Sequence, residues 1–452
     1  MSTGSKSSLT MKVLVGMFLG ITVGLAFNIS GLNADGSFVN TYIVDGAFYI
    51  IGKMFINALK MLVVPLVFFS LICGVCGIGN IHTLGRVGSK SFALYMLTTA
   101  IAITLGITLA ASIGIGDGMG LQSAANFTGK DAPPLSDVLI NIIPTNPIKA
   151  MANGDMLPLI FFSILVGISL LMVGRKAKGF IEAAEIANEV MMKMVTIVMS
   201  IAPYAVFALI AKSMAELGLD LLGQLAGYVL VLVGALLTHL FFTLMIILKL
   251  FSGLSPRIFL KKIRNAQIFA FSTASSNATI PVTLRSVTER MGVNNSVASF
   301  TVPFGATINM DGTAIMQGVA TVFIANVYGV DLGFTGYLTV ILMSVLASIG
   351  TAGVPGVGLI MLSMVFAQVG LPVEGIGLIL GVDRLMDMIR TAVNVSGDAV
   401  VSSIVAKSEG KLDLAIYNDS AAGSLQGSSE LHIDEDVEQE LAEVIQDTHQ
   451  KN

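Results

Sequence analysis

Charge is scarce in this chain. Only 12% of its 452 residues are Asp, Glu, Lys or Arg, against about 25% in an average soluble domain. With 54% apolar residues and a mean hydropathy of +0.84, a soluble globule is excluded and an integral membrane protein is indicated. Cysteine is nearly absent. Cys73 and Cys76 form a C-x-x-C inside the apolar run PLVFFSLICGVCGIG, not in the βαβ setting where that spacing does redox work, so inert packing is expected. The four histidines, at 82, 239, 432 and 449, have no metal-ligand spacing, and His239 in its apolar run reads as a hydrogen-bonded structural group. The first apolar run follows Lys6 and Lys12 but lacks a convincing small-residue cleavage site. A retained helix is expected there rather than a signal peptide.

Long apolar runs are what the chain has instead. Candidate spans lie at roughly 12–29, 44–76, 91–114, 155–173, 188–211 and 222–251, and each can supply the ~20 residues of a spanning helix. Their length excludes a membrane barrel of short alternating strands, so the expected fold is an all-α polytopic membrane protein. Three further blocks, at roughly 267–327, 334–367 and 372–407, are apolar but interrupted. Arg86 and Lys90, then Arg175, Lys176 and Lys178, then Arg257, Lys261, Lys262 and Arg264 mark alternate connections, whereas the stretch from Ile115 to Leu135 carries Asp117 and Asp131 against one Lys. The positive-inside rule makes the basic connections and both termini cytoplasmic in a multi-pass inner (plasma) membrane protein. Residues 1–408 read as the membrane part. From Glu409 onward 11 acidic residues face only Lys411 and Lys451, and 409–452 reads as a solvated acidic cytoplasmic tail.

The interruptions carry the chemistry. INMDGTAIMQ, residues 308–317, sets Asp311 in an apolar run from about Val297 to Val327, where a carboxylate is costly and normally faces a cavity, an ion or a partner. FSTASSNATIPV, residues 271–282, holds six Ser, Thr or Asn residues and a Pro, which predicts a helix broken at mid-membrane. ASIGTAGVPGVG, residues 347–358, has five Gly or Pro in nine positions and cannot propagate a lipid-exposed helix. Both read as tips of re-entrant hairpins. PFGATINMDGT, 303–313, is a third break. In the helix GVDRLMDMIRTAVNVSGDAV, 381–400, a turn of about 100° per residue puts Arg390, Thr391, Asn394 and Asp398 on one face with Asp387.

The two halves echo each other. A small-residue tip ending in Ile280-Pro281 or Val354-Pro355 precedes an apolar helix with Asn309–Gly312 or Asn394–Asp398, the weak internal symmetry of a transporter whose repeats meet at a mid-membrane site. Carboxylates with freed carbonyls, hydroxyls and amide oxygens suit a small hard cation such as Na⁺. Arg390 is a fork for a carboxylate and Asp387, one turn earlier, can hold an ammonium. Together they describe glutamate or aspartate.

SIGTAGVPGVG, GATINMDGTA and DRLMDMIRTAVNVSGD resemble the signatures of the dicarboxylate/amino acid:cation symporter family, over about residues 10–410. The resemblance implies eight transmembrane helices, re-entrant hairpins at about 256–290 and 335–368, an inverted-repeat elevator transporter and a homotrimer. It implies scaffold helices at about 12–76 and 139–211, and a transport domain at about 88–114 and 222–408 with the second hairpin as gate. Carried over by residue, Arg390 and Thr313 would hold the substrate side-chain carboxylate, Asp387 and Thr391 its amino group, and Ser276, Asn394 and the backbone near Val354 its main-chain carboxylate. One sodium would take Asp398 and the carbonyls of Gly305, Asn309 and Asn394; a second, those of Thr307, Ser348, Ile349 and Thr351; a third, Tyr95, Thr98, Thr99, Asn309 and Asp311. Na⁺ ions are thus expected as coupling ions, with no organic cofactor and no nucleic-acid partner.

Departures from the family pattern are Ser275-Ser276-Asn277 where many relatives have a serine run, Ala274 where some have Arg or Ser, and Gln317. Animal members place a proton-linked Glu at this last position. A proton- or sodium-coupled symporter for C4-dicarboxylates or another amino acid is the near alternative. An intramembrane aspartyl protease or a channel is remote, because no catalytic pairing explains Arg390 or the two small-residue tips.

Overall fold

Where no water is present, backbone N–H and C=O groups must be satisfied within their own segment, and an apolar run does this by coiling into helix. The computed structural model of the chain describes residues 9–34, 36–76, 84–117, 140, 142–349, 351, 353, 355–419 and 422. The all-helical expectation holds: the one extended pairing among these residues is an isolated bridge between Val293 and Leu412. In chain order the helices are α1 (Leu9–Ile29), α2 (Tyr49–Cys76, after a π-helical lead-in, Val39–Phe48), α3 (Ser89–Ile113), α4 (Pro147–Asn153), α5 (Met156–Val173) and α6 (Lys178–Ser200). There follow α7 (Ala202–Leu217), α8 (Leu219–Thr238), α9 (Leu244–Ser252), α10 (Pro256–Thr273), α11 (Ser276–Arg285) and α12 (Asn295–Ile308). The last are α13 (Asp311–Val327), α14 (Gly333–Ser348), α15 (Val357–Gln368), α16 (Ile376–Ser408) and α17 (Leu414–Asn418). Among the described residues five stretches are long and apolar enough to cross a membrane: Met11–Ile29, Val39–Cys76, Arg86–Ile113, Pro158–Ser200 and Leu221–Ser252.

The expected span at 188–211 is instead two helices, α6 and α7, meeting at Ile201. Pro203, in the first turn of α7, lacks an N–H and its ring resists a helix running through from α6. The break expected in 271–282 is present, with a different cause from its proline. Ala274 takes a left-handed conformation, φ 50°, the only non-glycine among the described residues to do so, and Ser275 Oγ then caps α11 by accepting from the Ala278 N–H at 3.2 Å. Pro281 lies inside α11. At the third break Asn309 and Met310 are unwound between α12 and α13. At 347–358 α14 stops at Ser348 and α15 starts at Val357, after Gly356 at φ 87°.

Two sets of helices pack within themselves. In one, α1 runs along α7 and α2 lies against α5 and α6. A Cβ on Gly16 would stand 2.4 Å from Pro203 O, one on Gly20 2.8 Å from Phe207 O, and one on Gly24 2.3 Å from Ala211 O, so small residues four apart let these backbones touch. In the other, α3 packs on α13, and α10, α12 and α13 surround α16. The sets meet where α16 touches α1 and α7 and where α15 touches α2. Cys76 is buried with Ile72 and Ala184, in keeping with a packing role. Behind α16 the chain folds back: Asp413 N–H donates to Gly292 O at 2.8 Å, and the buried Lys262 ammonium donates to the carbonyls of Arg290 and Ile416. Of the acidic tail, residues 420, 421 and 423–452 lie outside the described residues.

Candidate functional site

The polar face of α16 is buried along its length, with Asp383, Asp387, Thr391, Asn394 and Asp398 each under 9% exposed and Arg390 fully enclosed. A guanidinium carries five donors and no acceptor. Nη2 of Arg390 donates to Asp387 Oδ1 at 2.9 Å. Nη1 pairs with Asp383 Oδ1 at 2.9 Å, and Nε has no hydrogen-bond acceptor. Buried donors of that kind are costly and rare. Asp383 joins these residues because, at about 100° per residue, it falls on the same face as Asp387; its sequence context alone does not single it out.

The break between α14 and α15 closes over this charge. Gly356 N–H donates to Asp387 Oδ2 at 3.3 Å, and a Cβ on Gly358 would stand 3.3 Å from Thr313 Cγ2 and 3.4 Å from Arg390 Nη2. Thr313, Asp387 and Arg390 therefore converge under one tip. Thr391 is there too, its hydroxyl donating to Asp387 O at 2.7 Å. Ser276 sits at the other tip. The two tips touch through Gly353, whose carbonyl accepts from Ser275 Oγ at 2.7 Å and from Asn277 N–H at 3.1 Å, and a Cβ on Gly353 would press on Ser276 Cβ at 2.9 Å. Val354 lies outside the described residues. A cavity beside the site is lined by Asp383, Arg384, Asp387 and Gly356 on one side and by Val13, Met199, Ala202 and Val206 on the other.

Below the tip the acids meet amides and hydroxyls. Asn394 Oδ1 accepts from Gly312 N–H at 2.7 Å, capping the start of α13, and Asn309 Nδ2 donates to Asp398 Oδ1 at 2.9 Å. A Cβ on Gly305 would stand 2.4 Å from Asp398 Oδ1 and 2.7 Å from the Tyr95 hydroxyl, so only glycine admits those oxygens. Asp311, fully buried, accepts at Oδ1 from Thr99 at 2.8 Å and Thr98 at 3.2 Å, and Thr98 also lies 3.4 Å from Asn309 Oδ1. Tyr95 donates to Thr301 O at 2.9 Å. The hydroxyls of Thr307 and Ser348 donate within their own helices, to Phe304 O and Val345 O, and that of Thr351, beyond α14, donates back to Ala347 O. These residues and Ile349 can therefore offer carbonyls, of which the last turns of α12 and α14 leave several unpaired, and Ala306 O already lies 2.9 Å from where a Gly353 Cβ would stand.

His239, expected to be structural, lies with Nε2 3.1 Å from Asp311 Oδ2. No periodicity links positions 239 and 311, so only the fold could join them. No group of three His, Cys, Asp or Glu side chains able to hold a metal occurs among the described residues. The donor set is mixed oxygen, which suits an alkali cation better than a transition metal.

The family model described as Sodium:dicarboxylate symporter family matches residues 9–408. A proton/glutamate-aspartate symporter of Escherichia coli (strain K12) is 36% identical over 420 residues, covering 90% of this chain and 94% of that protein. A proton/sodium-glutamate symport protein of Geobacillus stearothermophilus is 33% identical over 415 residues, covering 90% and 96%. A C4-dicarboxylate transport protein of Bacillus subtilis (strain 168) is 32% identical over 416 residues, covering 90% and 95%.

Proposed function

The chain belongs to the Sodium:dicarboxylate symporter family and is a secondary transporter, not an enzyme; from that premise we propose that it takes up L-aspartate or L-glutamate together with Na⁺. The single observation that carries the reading is Arg390, wholly buried, with Nε unmatched and its other nitrogens shared only with Asp383 and Asp387. A carboxylate of the substrate satisfies the guanidinium. Thr313 helps it, and Asp387 with Thr391 takes the amino group. Ser276, Asn394 and the backbone near Val354 hold the main-chain carboxylate. Sodium ions sit at Asp398 with Gly305, Asn309 and Asn394, at Thr307, Ser348, Ile349 and Thr351, and at Tyr95, Thr98, Thr99, Asn309 and Asp311.

Several cations beside an anionic substrate offset charge the membrane penalises, and each net charge driven inward gains about 2.3 kcal/mol per 100 mV. Because the tip bearing Gly356 touches Asp387, closure of α14–α15 over the site is the gate, and it closes fully only when ion and substrate are both seated. The helices about α16 move as a transport domain along α1, α2 and α7, in a homotrimer, by an elevator mechanism. The packing of these helices in separate sets supports that division.

The competing substrate is a C4-dicarboxylate, which the Bacillus subtilis relative's name says it transports. Asp387 favours the amino acid, since a second carboxylate beside it is repelled where an ammonium is attracted. Uptake of labelled L-aspartate and labelled succinate into proteoliposomes, under an inward Na⁺ gradient or an inward proton gradient, separates these readings. Aspartate accumulation under the Na⁺ gradient alone is expected. Equal accumulation with choline in place of sodium, and no other gradient, would overturn sodium coupling, and preference for succinate would overturn the substrate.

A further inference from the structure

Asp311 has two oxygens and they face different parts of the protein. Oδ1 faces α3, where Thr98 and Thr99 reach it, and Asn309 is joined to the same group through Thr98. Oδ2 faces His239 across 3.1 Å. Both side chains are fully buried. A carboxylate only accepts, so the contact requires the hydrogen on Nε2, and Nδ1 is left without a partner in the protein. A buried ring with one nitrogen unmatched is held there at a cost.

The backbone also departs from regularity at this point. His239 opens a π-helical turn, His239–Thr243, between α8 and α9, and single π-turns inside helices are frequent at functional sites. A residue step in an α-helix rotates a side chain by about 100°, so a widened turn changes which neighbour His239 faces. The turn packs against α3, which supplies Thr98 and Thr99, and against α16, which carries Asn394 and Asp398 next to the same break. Farther along α8, Tyr228 lies against Phe323 of α13, ring centroids 5.3 Å apart, which holds α8 to the helix that begins with Asp311.

From these observations we infer that His239 is a positioning residue for the cation at Asp311: its Nε2–H anchors Oδ2, so that Oδ1 is turned toward Thr98, Thr99 and Asn309 as a single-oxygen ligand. The inference rests on the sodium reading of that cluster. A carboxylate pinned at one oxygen has lost its rotational freedom before the ion arrives, and a preorganised ligand binds tighter than a mobile one. Without the imidazole, Asp311 turns to share both oxygens with the threonines, and the ion must reorder the group as it binds.

The test is the midpoint of thermal unfolding of the purified full chain in detergent, titrated with NaCl at constant ionic strength in choline chloride. Half-saturation of the sodium-induced rise measures ion binding without transport. His239→Leu is expected to raise the half-saturating Na⁺ concentration about tenfold, as loss of one preorganising hydrogen bond would. His239→Gln, whose amide nitrogen can replace Nε2, is expected to stay within about threefold of wild type. If the leucine variant does not fold, His239→Asn serves, because its amide ends near the Nδ1 position and stops short of Oδ2. A purely structural role lowers the midpoint equally with and without sodium and leaves half-saturation unchanged in every variant, which overturns the inference alone. A wild-type protein indifferent to Na⁺ overturns the sodium reading and this inference with it.

Discussion

Arg390 has more buried donors than its own helix satisfies, and the site is built around that imbalance. Asp387 takes one nitrogen and Asp383 stands close to a second, which keeps the guanidinium tolerable at zero exposure without completing its hydrogen bonds. Removing one member of a buried charged pair costs about 2–5 kcal/mol. Arg390→Cys is therefore expected to weaken aspartate binding by roughly 30-fold or more and to shift preference toward neutral amino acids, while uptake of those stays sodium-dependent. Competition of unlabelled amino acids against labelled substrate measures this, and an unchanged aspartate affinity would remove Arg390 from the site. Asp311 is the opposite case, a carboxylate surrounded by donors.

At the scale of elements, the interruptions that stop helices also place their ends. Gly356 stands at φ 87° with its N–H on Asp387, and a Cβ there would come within 2.9 Å of Met199 Cε. The methionine end can move aside, but the left-handed backbone costs any other residue about 1–2 kcal/mol. Gly356→Ala is expected to weaken substrate binding about tenfold, and adding Met199→Ala to recover little of it; full recovery would locate the fault in the clash. Elsewhere, Glu409 at the end of α16 ties to the start of α3 through Lys90 at 2.6 Å and to the turn before it through Arg86 at 3.2 Å. The hydrogen bond from Lys90 holds its carboxyl below the usual 4.5, against burial and with help from Arg86. A lowered carboxyl keeps its contribution above its ordinary range and loses it only as pH falls through the lowered value. Any response of uptake to pH between about 6 and 8 should thus survive Glu409→Gln, as initial rates across that range will show.

At the scale of the whole molecule, the seam between the two helix sets carries glycines on one side and larger apolar groups on the other. A Cβ on Gly381 would stand 2.2 Å from Ile210 Cδ1 and 3.2 Å from Met17 Cγ, and one on Gly377 3.1 Å from Leu209 Cδ2. Lys53 pairs with Glu374 across the same seam, and Lys60 lies 3.9 Å from that carboxylate. Partly exposed pairs of this kind contribute about 0–1 kcal/mol, weak enough to be exchanged during sliding. If the sets move past one another, a wedge at Gly381 obstructs the motion and leaves the binding site alone. Gly381→Leu is expected to slow uptake by about tenfold or more while aspartate binding in detergent changes by less than about threefold. Parallel losses of binding and uptake would mean that the seam is a fixed core.

Some of this was legible in the residues themselves. Scarce charge and long apolar runs required helices in a membrane, because unsatisfied backbone cannot face lipid. Asp311, Arg390 and the small-residue tips were conspicuous because each is costly or unstable in an apolar run unless a site uses it. Local pattern did not reveal that Ala274, rather than Pro281, turns the first tip, since backbone strain is tolerated only where surrounding packing enforces it. It did not divide 188–211 at Ile201 either. Nor could it join His239 to Asp311, 72 positions apart. Periodicity reports which residues share a face of one helix, whereas the pairing of faces from different helices is decided by tertiary packing.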